Sequence, residues 1–104
     1  MADERSRRNT EVIDKPEQET KQPTLFRVIL HNDDYTTMEF VVEVLEHVFL
    51  MHPAQAYRVM LQVHNQGRGV CGVYPRDIAA TKVEQVCSYS RQHQHPLQCV
   101  MEEA

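Results

Sequence analysis

Between Leu25 and Leu50 the spacing of apolar residues changes once, and that change confines what the chain can build. Phe26, Val28 and Leu30 alternate with Arg27 and His31, the period of a half-buried strand. Further on, Phe40, Val41, Val44, Leu45, Val48 and Phe49 recur at helical spacing, with Glu39, Glu43, Glu46 and His47 on the other side. A strand and a helix that each carry one apolar face, joined by a short polar segment, close over the same core. The joint is Asn32-Asp33-Asp34-Tyr35, followed by Thr36-Thr37-Met38-Glu39, in which Thr36 and Glu39 have the spacing of a capping box. A first helix is expected from there to about Leu50.

The rest of the chain repeats the pattern. Pro53 suits the first position of a second helix, whose Ala56, Val59, Met60 and Val63 form a stripe before Gly67 supplies a stop. Residues 69–74 read as a second strand. Pro75 opens a third helix with Ala79, Val83, Val86 and Cys87 facing inward, ending near Gln92. Leu97, Cys99 and Met101 alternate with Gln98 and Val100 in a third strand. The expected fold class is α+β, in the order β-α-α-β-α-β: a two-layer sandwich of a three-stranded, mainly antiparallel sheet packed on three helices.

Ahead of this domain, residues 1–24 hold 11 charged side chains and two prolines but almost no large apolar residues. Such a segment buries too little surface to offset its ordering entropy, so a disordered N-terminal extension is expected there and a core domain over 25–104. The formal net charge is −4, and no cluster of Lys and Arg appears in the core, which argues against nucleic acid as a partner. No stretch approaches the roughly 20 apolar residues of a membrane span. Cys71, Cys87 and Cys99 are odd in number and widely spaced, which suits reduced, buried thiols of a cytoplasmic protein.

The joint carries more chemistry than a turn requires. Asn32, Asp33 and Asp34 supply acceptors, and His64 would join them if the second helix ended beside the exit of the first strand. A free α-amino group, with a pKa of about 7.7 to 8.0, presents three donors that an amide oxygen, a carboxylate and a neutral imidazole can accept. Met38, Val41, Met60, Val63 and Leu97 could line an apolar hole beside it. Burying one large side chain yields about 1.5 to 3 kcal/mol and a hydrogen bond to a charged group about 1.5 to 3. A micromolar complex needs about 8 net, so both halves are required. The plainer alternative is a polar turn with Asx-type self-capping, with Met60 and Val63 in the core and His64 complementing a helix dipole.

Four separated runs, VILHNDDYTTMEFVVEVLEHVF, VMLQVHNQGRGVCGVY, AATKVEQV and HPLQCVMEEA, closely resemble the ClpS family, the bacterial adaptor of the Clp protease. The resemblance covers about residues 25–104. It implies a non-enzymatic, cofactor-free, monomeric protein of the bacterial cytoplasm. Such a protein holds proteins that begin with Leu, Phe, Tyr or Trp and passes them to the AAA+ unfoldase ClpA of the ClpAP protease. Its amine-binding residues fall on Asn32, Asp33 and His64, with Asp34 continuing the acidic run. The implied pocket falls on Thr36, Met38, Val41, Met60, Val63 and Leu97, with Met38 as gatekeeper. Contacts with the unfoldase are implied for Tyr35, Asp77 and Lys82. Thr37 stands where the family often has proline, and Asp77 is one methylene shorter than the glutamate common there.

Other readings use the same residues. An enzyme would need His64 as base, Asp33 to orient it, and Cys71 or Thr36 as nucleophile. A metal site would gather His31, Asp33, Asp34 and His64, or His93, His95 and Cys99. A scaffold domain would bind a partner on a helical face and leave the joint without a role.

Overall fold

The computed structural model describes residues 22–104. The elements are β1 (Leu25–His31), α1 (Met38–His47), α2 (Pro53–Gln66), β2 (Arg68–Pro75), α3 (Arg76–Gln92) and β3 (Gln98–Glu103), in the order expected from the sequence. The extension expected over residues 1–24 lies outside the described residues except for Gln22, Pro23 and Thr24, which are exposed and carry no regular structure.

The sheet order is β2-β1-β3 and both pairings are antiparallel. The central strand has neighbours on both sides, and Val28, Ile29 and Leu30 are fully buried. Val28 and Leu30 join the main core with residues of all three helices, whereas Ile29 faces the other way, in register between Val70 and Val100. A bulge at Cys71 corrects the parity of β2. Gly69 pairs with Leu30 and Tyr74 with Phe26, six residues against five, so one extra residue keeps both pairs on the helical side.

The helices depart from the sequence reading at their ends. Thr37, not Thr36, is the N-cap of α1, and its hydroxyl accepts from the Phe40 amide at 3.1 Å. Thr36 is engaged by Asp33 instead, so the Thr36–Glu39 capping box does not form. At the other end α1 stops at His47, short of Leu50. Lys82 on α3 donates to the Val48 carbonyl at 2.7 Å, and Leu50 turns the chain with a left-handed φ of 55°. Phe49 still packs in the core without being helical, which is why its spacing read as one more turn.

Helix α2 follows its local signals. His52 caps it by accepting from the Ala54 amide, Pro53 occupies the first turn, and Gly67 ends it with φ 88°. The core is then Phe40, Val44 and Leu45 of α1 and Ala56 of α2, with Ala79 and Val86 of α3, laid over Val28 and Leu30. Gly69 is a close approach: a Cβ there would sit 2.7 Å from a methyl of Val63 and 3.4 Å from the Val59 carbonyl. Gly69→Ala is expected to cost about 1–3 kcal/mol in a urea melt. A value within a few tenths of wild type would mean that Val63 yields freely.

Candidate functional site

Where β1 ends, the Asn32 amide donates to the Gly67 carbonyl at 2.9 Å. That bond ties the strand's exit to the residue that terminates α2, and His64 lies one turn back from it. Asn32, Asp33, Asp34 and His64 consequently share one open cavity of about 430 Å³. The condition that the sequence left open, proximity of the second helix's end to the joint, is met.

Asp33 organises the corner. Its Oδ1 accepts from the amides of Tyr35 at 2.8 Å and Thr36 at 2.7 Å, while Oδ2 accepts from the Thr36 hydroxyl at 2.7 Å. Self-capping is therefore real, and Asp33 is half-buried rather than a free rim group. Of the roughly four lone-pair directions of a carboxylate, three are taken and one stays open. Burial pushes the carboxyl up. The hydrogen bonds from the Thr36 side chain and from the Tyr35 and Thr36 amides, with the nearby His95, outweigh it and hold Asp33 below its ordinary value. The side chains of Asn32 and His64 are exposed and have no hydrogen-bond partner among the described residues.

The walls of the cavity are apolar. Val41, Met60 and Val63 are core residues, at most 5% exposed, and they also line the cavity, so core and pocket are not alternatives here. Met38, the first residue of α1, is 46% exposed at the lip. Thr36 completes the set, together with Thr37 and Glu39, which the sequence reading did not single out. Thr37 was legible as a helix cap once the first turn was placed one residue later; Glu39 entered the sequence reading only as a capping-box partner and polar-face residue, not as part of the cavity. Asp33, Asp34 and Glu39 line the cavity and no Lys or Arg does, so the site suits a cation attached to an apolar group.

The other implied residues lie elsewhere. Leu97 is buried and lines a neighbouring cavity, not this one. Tyr35 is 80% exposed on the loop. Asp77 is exposed in the first turn of α3. Lys82 is partly buried by its bond to Val48, with its ammonium 5.9 Å from the Phe49 ring centre and 6.0 Å from that of Tyr74. It thus has a structural task independent of any partner.

The catalytic alternative finds no assembled triad. The Thr36 hydroxyl donates to Asp33 and not to His64, and burial pushes the Cys71 thiol far above its ordinary range, leaving it inert. Cys99 is likewise pushed up to about 12 by burial. Among the described residues no three His, Cys, Asp or Glu side chains converge to hold a metal ion. No helix among them is long and apolar enough to cross a membrane.

Fold and cavity together define a small α+β binding domain, with a one-sided sheet, a helical layer and an acid-rimmed apolar hollow at the end of the central strand. The family model for the ATP-dependent Clp protease adaptor protein ClpS matches residues 21–100, and the chain belongs to that family. It is 59% identical over 92 residues to the ATP-dependent Clp protease adapter protein ClpS of Nitrosospira multiformis, covering 88% of this chain and 90% of that one. The ClpS of Burkholderia mallei is 54% identical over 98 residues, 94% of each chain. Among solved structures, Agrobacterium tumefaciens ClpS2 bound to L-phenylalaninamide superposes with a TM-score of 0.77 at 40% identity, covering 80% of this chain and all of that one. The family is one of adaptors of the Clp protease.

Proposed function

We propose that the cavity holds the first residue of a polypeptide, gripping its α-amine with Asn32, Asp33 and His64 and its side chain with Val41, Met60, Val63 and the Met38 lip. The observation that carries this reading is the shared cavity, in which lone pairs of three kinds face a hollow walled by apolar side chains. An ammonium needs three acceptors, and an amide oxygen, the open carboxylate position and a neutral imidazole can supply them. The ligand seen on the Agrobacterium protein has the matching chemistry: a free amine, an aromatic side chain and an amide in place of the carboxylate.

Side chains of Leu, Phe, Tyr and Trp are the expected ligands. The flexible thioether of Met38 adapts to planar or γ-branched groups and crowds a branch at Cβ. The protein then acts in the bacterial cytoplasm as a monomeric adaptor. It delivers such polypeptides to the unfoldase ClpA through a surface that includes Tyr35, Asp77 and Lys82. Lys82 reaches that surface only with the part of its side chain not committed to Val48.

A fluorescent peptide beginning with Phe is expected to bind, and its N-acetylated copy, which lacks the charge and two donors, to lose at least about 100-fold in affinity, or about 2.8 kcal/mol. Equal affinities in an anisotropy titration would favour a scaffold that ignores the amine. Delivery is tested separately, by degradation of a Phe-initiated substrate with purified ClpAP in the presence and absence of the adaptor.

A further inference from the structure

The sheet carries its helices on one side, and across the other side Val70, Ile29 and Val100 stand in register as an apolar row. The row before it holds Arg27 and Glu102, and the row after it holds Arg68. Ile29 is fully buried although it points away from the helical core. Arg68 crosses it: the guanidinium reaches Glu102 Oε2 at 3.0 Å, and the diagonal between those two positions passes over Ile29. Arg27 approaches the same oxygen at 3.4 Å. Two arginines thus share one carboxylate, and Glu102 is the only acid in the three rows. A chain with a formal net charge of −4 therefore keeps a positive, part-apolar face, on which Val70 and Val100 remain 39% and 40% exposed.

We propose that this open face is the docking site of a segment of the same chain, Glu11-Val12-Ile13-Asp14, with Val12 and Ile13 on the apolar row and the two acids on Arg27 and Arg68. Two observations choose this occupant. Val12 and Ile13 are the only adjacent pair of large apolar residues ahead of Leu25, and an acid stands on each side of them. That order matches a face whose apolar row lies between two arginines. The tether also reaches. Ile13 precedes Gln22 by nine residues, a span of up to about 30 Å. The apolar row lies four residues along β1 from Leu25, about 13 Å, and Gln22 stands three residues before Leu25, about 10 Å more. Exposed ion pairs contribute little singly, so Glu102 is readily exchanged for Glu11 or Asp14. Tethering holds the segment at an effective concentration in the millimolar range, which populates a contact too weak for a dilute free peptide. Docked, the segment shields the row from other chains, an intramolecular cover that any partner binding the extension has to displace. The face shares no residue with the recognition cavity and does not rest on the function proposed for it.

The test is nuclear magnetic resonance on the full chain, ¹⁵N-labelled, as wild type, as the double variant Val12→Ser/Ile13→Ser and as Arg68→Gln. Backbone order parameters at residues 11–14 are expected at about 0.6 or above in wild type and below that in both variants. The double variant, altered only ahead of β1, is expected to shift the amides of Val70, Val73, Val100 and Glu102. A synthetic peptide of residues 9–16 added to the double variant is expected to shift the same amides, half-saturating at about 1 mM. In wild type, where the tethered copy competes, about tenfold more peptide is expected to be needed. Order parameters below about 0.6 at residues 11–14 of wild type would overturn the proposal. So would open-face amides unmoved in the double variant, or shifts that grow with protein concentration and so place a second copy on the face. Shifts confined to residues 32–38 and His64, which put the segment in the recognition cavity, would overturn it too.

Discussion

Replacing Asp33 by alanine is expected to raise the Kd for a Phe-initiated peptide by about 100-fold or more. Two losses combine. The variant lacks the carboxylate that the proposed reading pairs with the ammonium, worth about 1.5–3 kcal/mol as a charged hydrogen bond. It also frees the Tyr35 and Thr36 amides and the Thr36 hydroxyl, whose bonds to Asp33 hold the loop. Asp33→Asn separates them, since an amide keeps one oxygen for the loop while removing the charge. Anisotropy titration of both variants, with urea melts to verify folding, checks the prediction. Binding by the alanine variant within threefold of wild type would contradict the assigned role.

The pH dependence follows in sign. Because the folded-state Asp33 carboxyl is held below its ordinary value, its charge and the three bonds it accepts persist above the ordinary Asp range. They are lost as the pH falls through the lowered value. Under the proposed reading, affinity for a Phe-initiated peptide is expected to fall in an anisotropy titration once the pH drops below the ordinary Asp range and Asp33 takes up its proton. An affinity that holds steady well below that range would remove Asp33 from the amine's acceptors.

Leu30→Ala is expected to destabilise the fold by about 2–5 kcal/mol. Leu30 is fully buried on the central strand beneath the helical layer, and its strand partners in register, Gly69 and Cys99, are too small to fill the hole from within the sheet. In a domain of this size each kcal/mol lowers Tm by about 4–8 °C. Against a total stability of about 5–15 kcal/mol the loss is large. A shift of less than about 2 °C would mean that β1 is less central to stability than its burial implies.

Much of the architecture was legible because it is written locally. Alternation over Leu25–His31 and helical spacing over residues 40–49 specify which side of each element turns inward, whatever packs there. Pro53 and Gly67 bound α2 through backbone chemistry that neighbours hardly alter. The ends of α1 were less legible. Thr36 and Thr37 are equally good caps in isolation, and the choice between them is made by the carboxylate of Asp33, which claims Thr36. Just past His47 the Val48 carbonyl accepts from Lys82, more than thirty residues away in the chain.

The kinds of group at the candidate site were equally plain, and their meeting was not. That Asn32, Asp33 and His64 share a cavity follows from the pairing of β1 with β2, which starts directly after α2, closed by the bond from the Asn32 amide to the Gly67 carbonyl between residues 35 apart in sequence. The same packing sends Leu97 to a different hollow and gives Lys82 a structural bond. It also leaves Ser90 Oγ and His95 Nδ1 buried without hydrogen-bond partners among the described residues. By itself the sequence determined periodicity, caps and the supply of acceptors, because these act over one or two turns of chain. Which acceptors face a common space, and which side chains wall it, was decided only in three dimensions, because burial and lone-pair occupancy belong to neighbours that the chain order does not specify.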